Sequence, residues 1–178
     1  MIDLITSRIR KLPASVLALA IGLWLALLQF AFFFLLEVRL TSRATSFFVA
    51  LFFWLVGFLV GLNLTSVRAF PRLIGLAPLA YYVAFLLLRL FPHQLSILPA
   101  IGVCIAISGA LAGSFFPYAA ERFPGTRRLL LHENNGFVAG ILLSLLGSVF
   151  AGRLFLEWAP AAGALPVAAL ALRRRYPR

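Results

Sequence analysis

His132, Glu133, Asn134 and Asn135, four hydrogen-bonding side chains in a row, stand at the start of an apolar stretch that runs on to Phe155. A carboxylate beside an imidazole can relay protons or hold a polar headgroup, and two amides add donors and acceptors for a solute. Such groups cannot face hydrocarbon unpaired without a large free-energy cost. The cluster is therefore expected in one of two places. In an aqueous loop, Asn and Glu are ordinary helix-start residues. Inside a bundle, the same residues become a functional site. Glu37 and Arg39, at the end of the first apolar stretch, form a second candidate. Glu37 would bind a cation or amine with Arg39 holding it, or the two would make an interfacial anchor.

Other constellations fail. His93 follows the third apolar run and His132 opens the fifth, so about 30 Å of hydrocarbon separates them and they share no metal or haem. Ser108 and Ser114 lie in the fourth run, and the sixth offers no histidine to activate either. Cys104 is the single cysteine, which rules out an intramolecular disulfide and a cysteine-ligated cluster. It is expected to pack as a small apolar residue. No catalytic residue, metal or cofactor is expected in this chain.

The elements that would carry these residues are membrane helices. The 178-residue chain is 63% hydrophobic and only 12% charged, too apolar for a soluble domain. Its net charge of +11 sits in residues that flank apolar runs, which points to lipid headgroups and orientation, not nucleic acid. With about 20 apolar residues needed per crossing, six spans are predicted, at about 14–36, 46–64, 73–91, 95–118, 131–155 and 158–172. Arg8, Arg10 and Lys11 resemble the start of a signal peptide, but the run after Pro13 continues to Leu36, so the first span is expected to remain as an anchor.

Charge sidedness supports six spans. With the N-terminus inside, Arg8, Arg10, Lys11, Arg68, Arg72, Arg122, Arg127, Arg128, Arg173, Arg174, Arg175 and Arg178 fall inside, and only Arg39, Arg43, Arg89 and Arg153 outside. That is 12 of 16 basic residues on the inner side. The expectation is an all-α bundle of six transmembrane helices forming a single membrane domain, with both termini cytoplasmic, in a bacterial inner membrane.

Small residues every fourth position let membrane helices approach closely. The fifth span carries a ladder of five, Gly136, Gly140, Ser144, Ser148 and Gly152, which predicts a place at the bundle centre or at a subunit contact. Ala14, Ala18, Gly22 and Ala26 repeat the pattern in the first span, Gly57 and Gly61 in the second, Gly109 and Gly113 in the fourth. Pro78 and Pro99 are expected to kink the third and fourth. Arg153 and Glu157 are spaced for an i,i+4 pair at the outer end of the fifth.

Two stretches resemble the membrane domain of the spermidine synthase-like membrane proteins. The first is Glu37-Val38-Arg39-Leu40 followed by a helix ending Gly57-Phe58-Leu59-Val60-Gly61. The second is Gly113-Ser114-Phe115-Phe116-Pro117, then Arg127-Arg128, then Asn134-Asn135-Gly136 and Gly140. Glu37 and Arg39 are two apart where that family has four, and His132 stands where it carries Tyr. Members typically fuse this bundle to a soluble aminopropyltransferase-like domain, and no Gly-rich nucleotide loop after a strand occurs here. The resemblance implies a non-catalytic membrane subunit or scaffold that docks a separately encoded partner, or forms homo-oligomers. The alternative is a small homodimeric carrier for a polar solute such as an amine or organic cation, with Glu37 and Glu133 as its charged sites.

Overall fold

A computed structural model describes residues 14–40, 44–64, 69–120, 123 and 125–173. Of the basic residues behind the orientation argument, Arg8, Arg10, Lys11, Arg43, Arg68, Arg122, Arg174, Arg175 and Arg178 lie outside the described residues. The described residues form an all-α membrane bundle of six helices: α1 (Ala14–Arg39), α2 (Ala44–Asn63), α3 (Ala69–Leu90), α4 (Leu98–Ala120), α5 (Thr126–Ala151) and α6 (Arg153–Arg173). Each is long and apolar enough to cross a bilayer. A 3-10 turn, Leu95–Ile97, leads into α4, and no strand occurs among the described residues.

Successive helices run in opposite directions, as the side-chain contacts show. Phe70 at the start of α3 stacks on Phe115 and Tyr118 at the end of α4. The His93 N–H, after α3, donates to the Arg39 carbonyl at the end of α1, so α1 and α3 finish at the same end of the bundle. Tyr81 and Tyr82 reach Leu156 and Glu157 near the start of α6.

The two most extensive packings join parallel helices, α1 with α5 and α2 with α4. Both are made by glycine. A Cβ at Gly22 would overlap the Glu133 carbonyl oxygen; at Gly136 and Gly140 it would overlap the Leu19 and Leu23 carbonyls. In the second pair, a Cβ at Gly57 or Gly61 would strike the Ala106 or Ala110 carbonyl. One at Gly109 or Gly113 would strike those of Trp54 or Phe58. The glycines act in both directions across each seam, so backbone lies on backbone. Lipid tails supply no hydrophobic force between helices, and this closeness of contact supplies the attraction instead.

The centre of the bundle is α1, not α5. Within their most apolar stretches, 61% of α1 is buried but only 17% of α5. The ladder does not mark the middle of the structure; it fastens an edge helix to a central one. Leu17, Ile21, Trp24, Leu28, Phe32 and Leu35 of α1 form the spine of the core.

Three boundaries differ from the sequence reading. Helix α5 begins at Thr126, not near 131, because Arg127 and Arg128 continue the helix outward instead of ending it. It stops at Ala151, where Gly152 adopts a positive φ of 50°. Arg153 therefore opens α6, and its pair with Glu157 (Nε to Oε1, 2.6 Å) belongs to that helix. Pro99 is the second residue of α4, a position whose N–H needs no partner, so it starts the helix and does not kink it. Pro78 does lie inside α3, as does Pro117 near the end of α4.

Replacing a seam glycine should uncouple a helix pair. Gly57→Leu or Gly113→Leu is expected to destabilise the bundle by about 3 kcal/mol through forced separation of backbones. Gly75→Leu, where a side chain meets nothing within 4 Å, should change stability by less than about 0.5 kcal/mol. Unfolding titrations in mixed detergent micelles would measure both, and equal losses would contradict the glycine seams.

Candidate functional site

The polar cluster lies on a helix, not in a loop. Thr126 precedes it by six residues, so His132 to Asn135 sit on the second and third turns of α5. Consecutive residues on a helix point about 100° apart, and the four side chains are accordingly dispersed. Glu133 is buried against the α1 seam, His132 is half-buried, and Asn134 and Asn135 are exposed. The backbone contacts fix their depth. Gly22 abuts the Glu133 carbonyl and Gly136 abuts that of Leu19, which sets Glu133 level with the stretch from Ala18 to Gly22, more than a turn inside the start of α1.

Glu133 is the unusual residue. It is 7% exposed, and among the described residues no hydrogen bond or ion pair reaches its carboxyl group. Three turns further along the same face, the Ser144 hydroxyl is fully buried and also has no partner among the described residues. Between them lie only Gly136 and Gly140, so the α1–α5 seam is apolar backbone with an unpartnered polar group at each end. Of the five ladder residues, Gly136, Gly140 and Ser144 face α1. Ser148 turns its hydroxyl to the Leu145 carbonyl of its own helix, and Gly152 terminates the helix.

The second candidate does not assemble. Glu37 and Arg39 form no ion pair with each other; an i,i+2 spacing points two side chains to nearly opposite sides of a helix. Glu37 is exposed and Arg39 half-exposed at the end of α1, a bundle's length from Glu133. His93 lies at this same end, opposite His132, and no group of metal-ligating side chains occurs among the described residues. The Ser108 hydroxyl leans on the carbonyls of Ala77 and Cys104, and that of Ser114 donates to Leu111, so neither hydroxyl is positioned as a nucleophile. Cys104 is buried and free.

A set of aromatic donors escaped the sequence reading. Pro160 has no N–H, so the Leu156 carbonyl one turn earlier lacks its helical donor. The Tyr81 hydroxyl supplies it at 2.9 Å. The Tyr82 hydroxyl donates to the Glu157 carbonyl at 2.8 Å, and the Trp24 indole N–H to that of Pro160 at 2.8 Å. These three bonds hold the proline-bearing start of α6 against α1 and α3. The available signal was a polar-tipped aromatic pair in one span and a proline in another.

His93 makes a comparable tie at the other end of α1. It adopts a left-handed φ of 62°, uncommon for a residue with a side chain. Its backbone N–H donates to the Arg39 carbonyl at 2.9 Å, and Nδ1 lies 3.1 Å from the Leu40 carbonyl. A carbonyl can only accept, so the ring carries its hydrogen on Nδ1.

Comparison with family models, curated proteins and solved structures gives no match. The site therefore rests on its own geometry. An unpartnered carboxyl inside a membrane bundle weakens the structure, and Glu133→Leu should raise stability by about 1–3 kcal/mol. A detergent unfolding titration showing a loss instead would mean that the carboxyl has a structural partner.

Proposed function

We propose that the chain is a non-catalytic integral-membrane subunit, a scaffold that docks a partner protein. One observation carries this reading. Helix α5 is held by α1 along one face, and its opposite face is open, with the Asn134 and Asn135 amides exposed well inside the span. At 1.5 Å per residue the two amides lie about 10–12 Å along the helix from Arg127. Lipid tails cannot pair an amide, whereas a neighbouring polypeptide helix can.

Exposed Arg72, Arg127 and Arg128 form a basic rim at the same end of the bundle. The charge bias of the sequence supports a cytoplasmic position for that rim, and with it a bacterial inner-membrane location with both termini inside. A separately encoded partner would meet the scaffold there. The resemblance to the membrane domain of spermidine synthase-like proteins supports the same role, since there the bundle accompanies a soluble domain.

Gentle-detergent purification from the native membrane should yield a stoichiometric second protein. The double substitution Arg127→Gln with Arg128→Gln should weaken its retention roughly tenfold. A chain that purifies as a monomer with no companion would remove the reading.

Glu133 favours a second reading, a small carrier of an amine or organic cation. The motif is the unpartnered intramembrane carboxyl, a feature typical of solute and ion pathways. In proteoliposomes offered a panel of labelled amines, Glu133→Gln should abolish uptake while the fold is kept. Uptake that is absent from the unaltered chain, or unchanged in the variant, would reject the carrier.

A further inference from the structure

The open face of α5 has a regular pattern. Leu131, Asn135, Val138, Leu142, Leu145 and Val149 follow one another at spacings of four, three, four, three and four residues. This is the a/d spacing of a heptad seam. All six are exposed: Leu131 57%, Val138 56%, Leu142 57%, Leu145 45% and Val149 78%, with Asn135 likewise on the surface. At 3.6 residues per turn the seam lies about 180° from the face of Leu129, Glu133, Gly136, Gly140 and Ser144 that packs on α1. Helix α5 thus has two faces with separate periodicities, one of small residues turned inward and one of branched aliphatics turned out.

We infer that the occupant of the outer seam is α5 of a second copy of this chain, forming a parallel two-fold dimer in the bilayer. The inference rests on the scaffold reading: a second copy closes the open face of α5, and the separately encoded partner meets the basic rim of Arg72, Arg127 and Arg128. Five features select a second copy. A heptad seam is complementary to itself when two identical helices run parallel, which two copies in the same membrane orientation do. The Asn135 amide carries both donor and acceptor, so it can pair with its own copy across the two-fold axis.

Asn134 flanks the seam at the same level, on the opposite side from Asn135, and gives each copy a second amide to place. A polar residue at a single seam position also fixes register, since a slip of one heptad would leave both amides in hydrocarbon. Finally, no charged residue falls on the seam itself, because Glu133, the one carboxylate between Leu131 and Val149, lies on the inner face against α1. The nearest like charges, Arg127 and Arg128, sit beyond the seam towards the helix start, where anionic headgroups and water screen them.

The inner ladder contributes nothing to this dimer. Its glycines are already closed by α1, which moves the subunit contact to the opposite side of the same helix. Burial of α5 on both faces would also account for a helix that is so little covered within one chain.

Disulfide mapping in native membranes tests the proposal with the full chain. In a Cys104→Ala background, single substitutions Val138→Cys, Leu142→Cys and Leu145→Cys should give oxidised homodimers. Leu59→Cys on α2 and Leu79→Cys on α3, each at a site 59% exposed, should not. Asn134→Leu with Asn135→Leu, which leaves the α1 seam untouched, should weaken dimerisation roughly three- to thirtyfold. Equal cross-linking at seam and control positions would overturn the dimer. A seam disulfide to a different protein would also overturn it while leaving the docking reading intact. No adduct at any seam position would overturn the dimer and leave the docking reading to its own purification test.

Discussion

Everything in this bundle depends on backbones being able to touch. In a lipid solvent apolar side chains gain nothing by meeting one another in place of acyl chains, so helix association rests on closeness of approach. Gly22 with Gly136 and Gly140, and Gly57 and Gly61 with Gly109 and Gly113, allow that approach on two parallel helix pairs. Parallel neighbours require an even number of helices per return trip, which the alternating order of the six helices provides. The remaining helices fill around these pairs: α3 against α4 through Phe70, Phe115 and Tyr118, and α6 against α1 and α3.

The same solvent sets the second constraint, that each backbone polar group find a partner within the protein. Helix α6 carries Pro160 and Pro166, and its broken ladder is repaired from neighbouring helices. Tyr81 fills the place of the missing proline N–H, and Tyr82 and Trp24 add bonds on either side. The shortest and most proline-interrupted apolar run in the sequence is thus kept as a helix by aromatic donors on its neighbours. Against this pairing, the carboxyl of the buried Glu133 and the hydroxyl of Ser144 stand out as groups without a partner among the described residues.

How much the sequence revealed follows from what a one-dimensional pattern can encode. Apolar runs and their lengths are local, so six helices were legible. Small residues at every fourth position showed which faces would be close, but not which helix each face would meet. The ladder of α5 was accordingly read as marking either the bundle centre or a subunit contact, and three of its members, Gly136, Gly140 and Ser144, meet α1. Arg127 and Arg128 looked like a loop because they are charged, yet long basic side chains can reach the headgroups from a continuing helix. The polar run at His132 was read as one site. A helix spreads four consecutive residues around its circumference, so only Glu133 could enter the interior with this register. Tyr81 and Tyr82 were invisible for another reason: their partners are carbonyls 75 residues away, and only three-dimensional proximity identifies them.

Helix α5 connects the structural and functional parts of the picture, since one face packs on α1 and the other is the open face on which the proposed assembly rests. That division holds only if the six helices cross in alternation. Membrane-impermeant labelling of single cysteines, in a Cys104→Ala chain in oriented vesicles, measures this most directly. Gln94→Cys and Arg153→Cys should react from one side, and Gly125→Cys from the other. Labelling of Gln94→Cys and Gly125→Cys from the same side would contradict the alternating arrangement, and the parallel glycine seams with it.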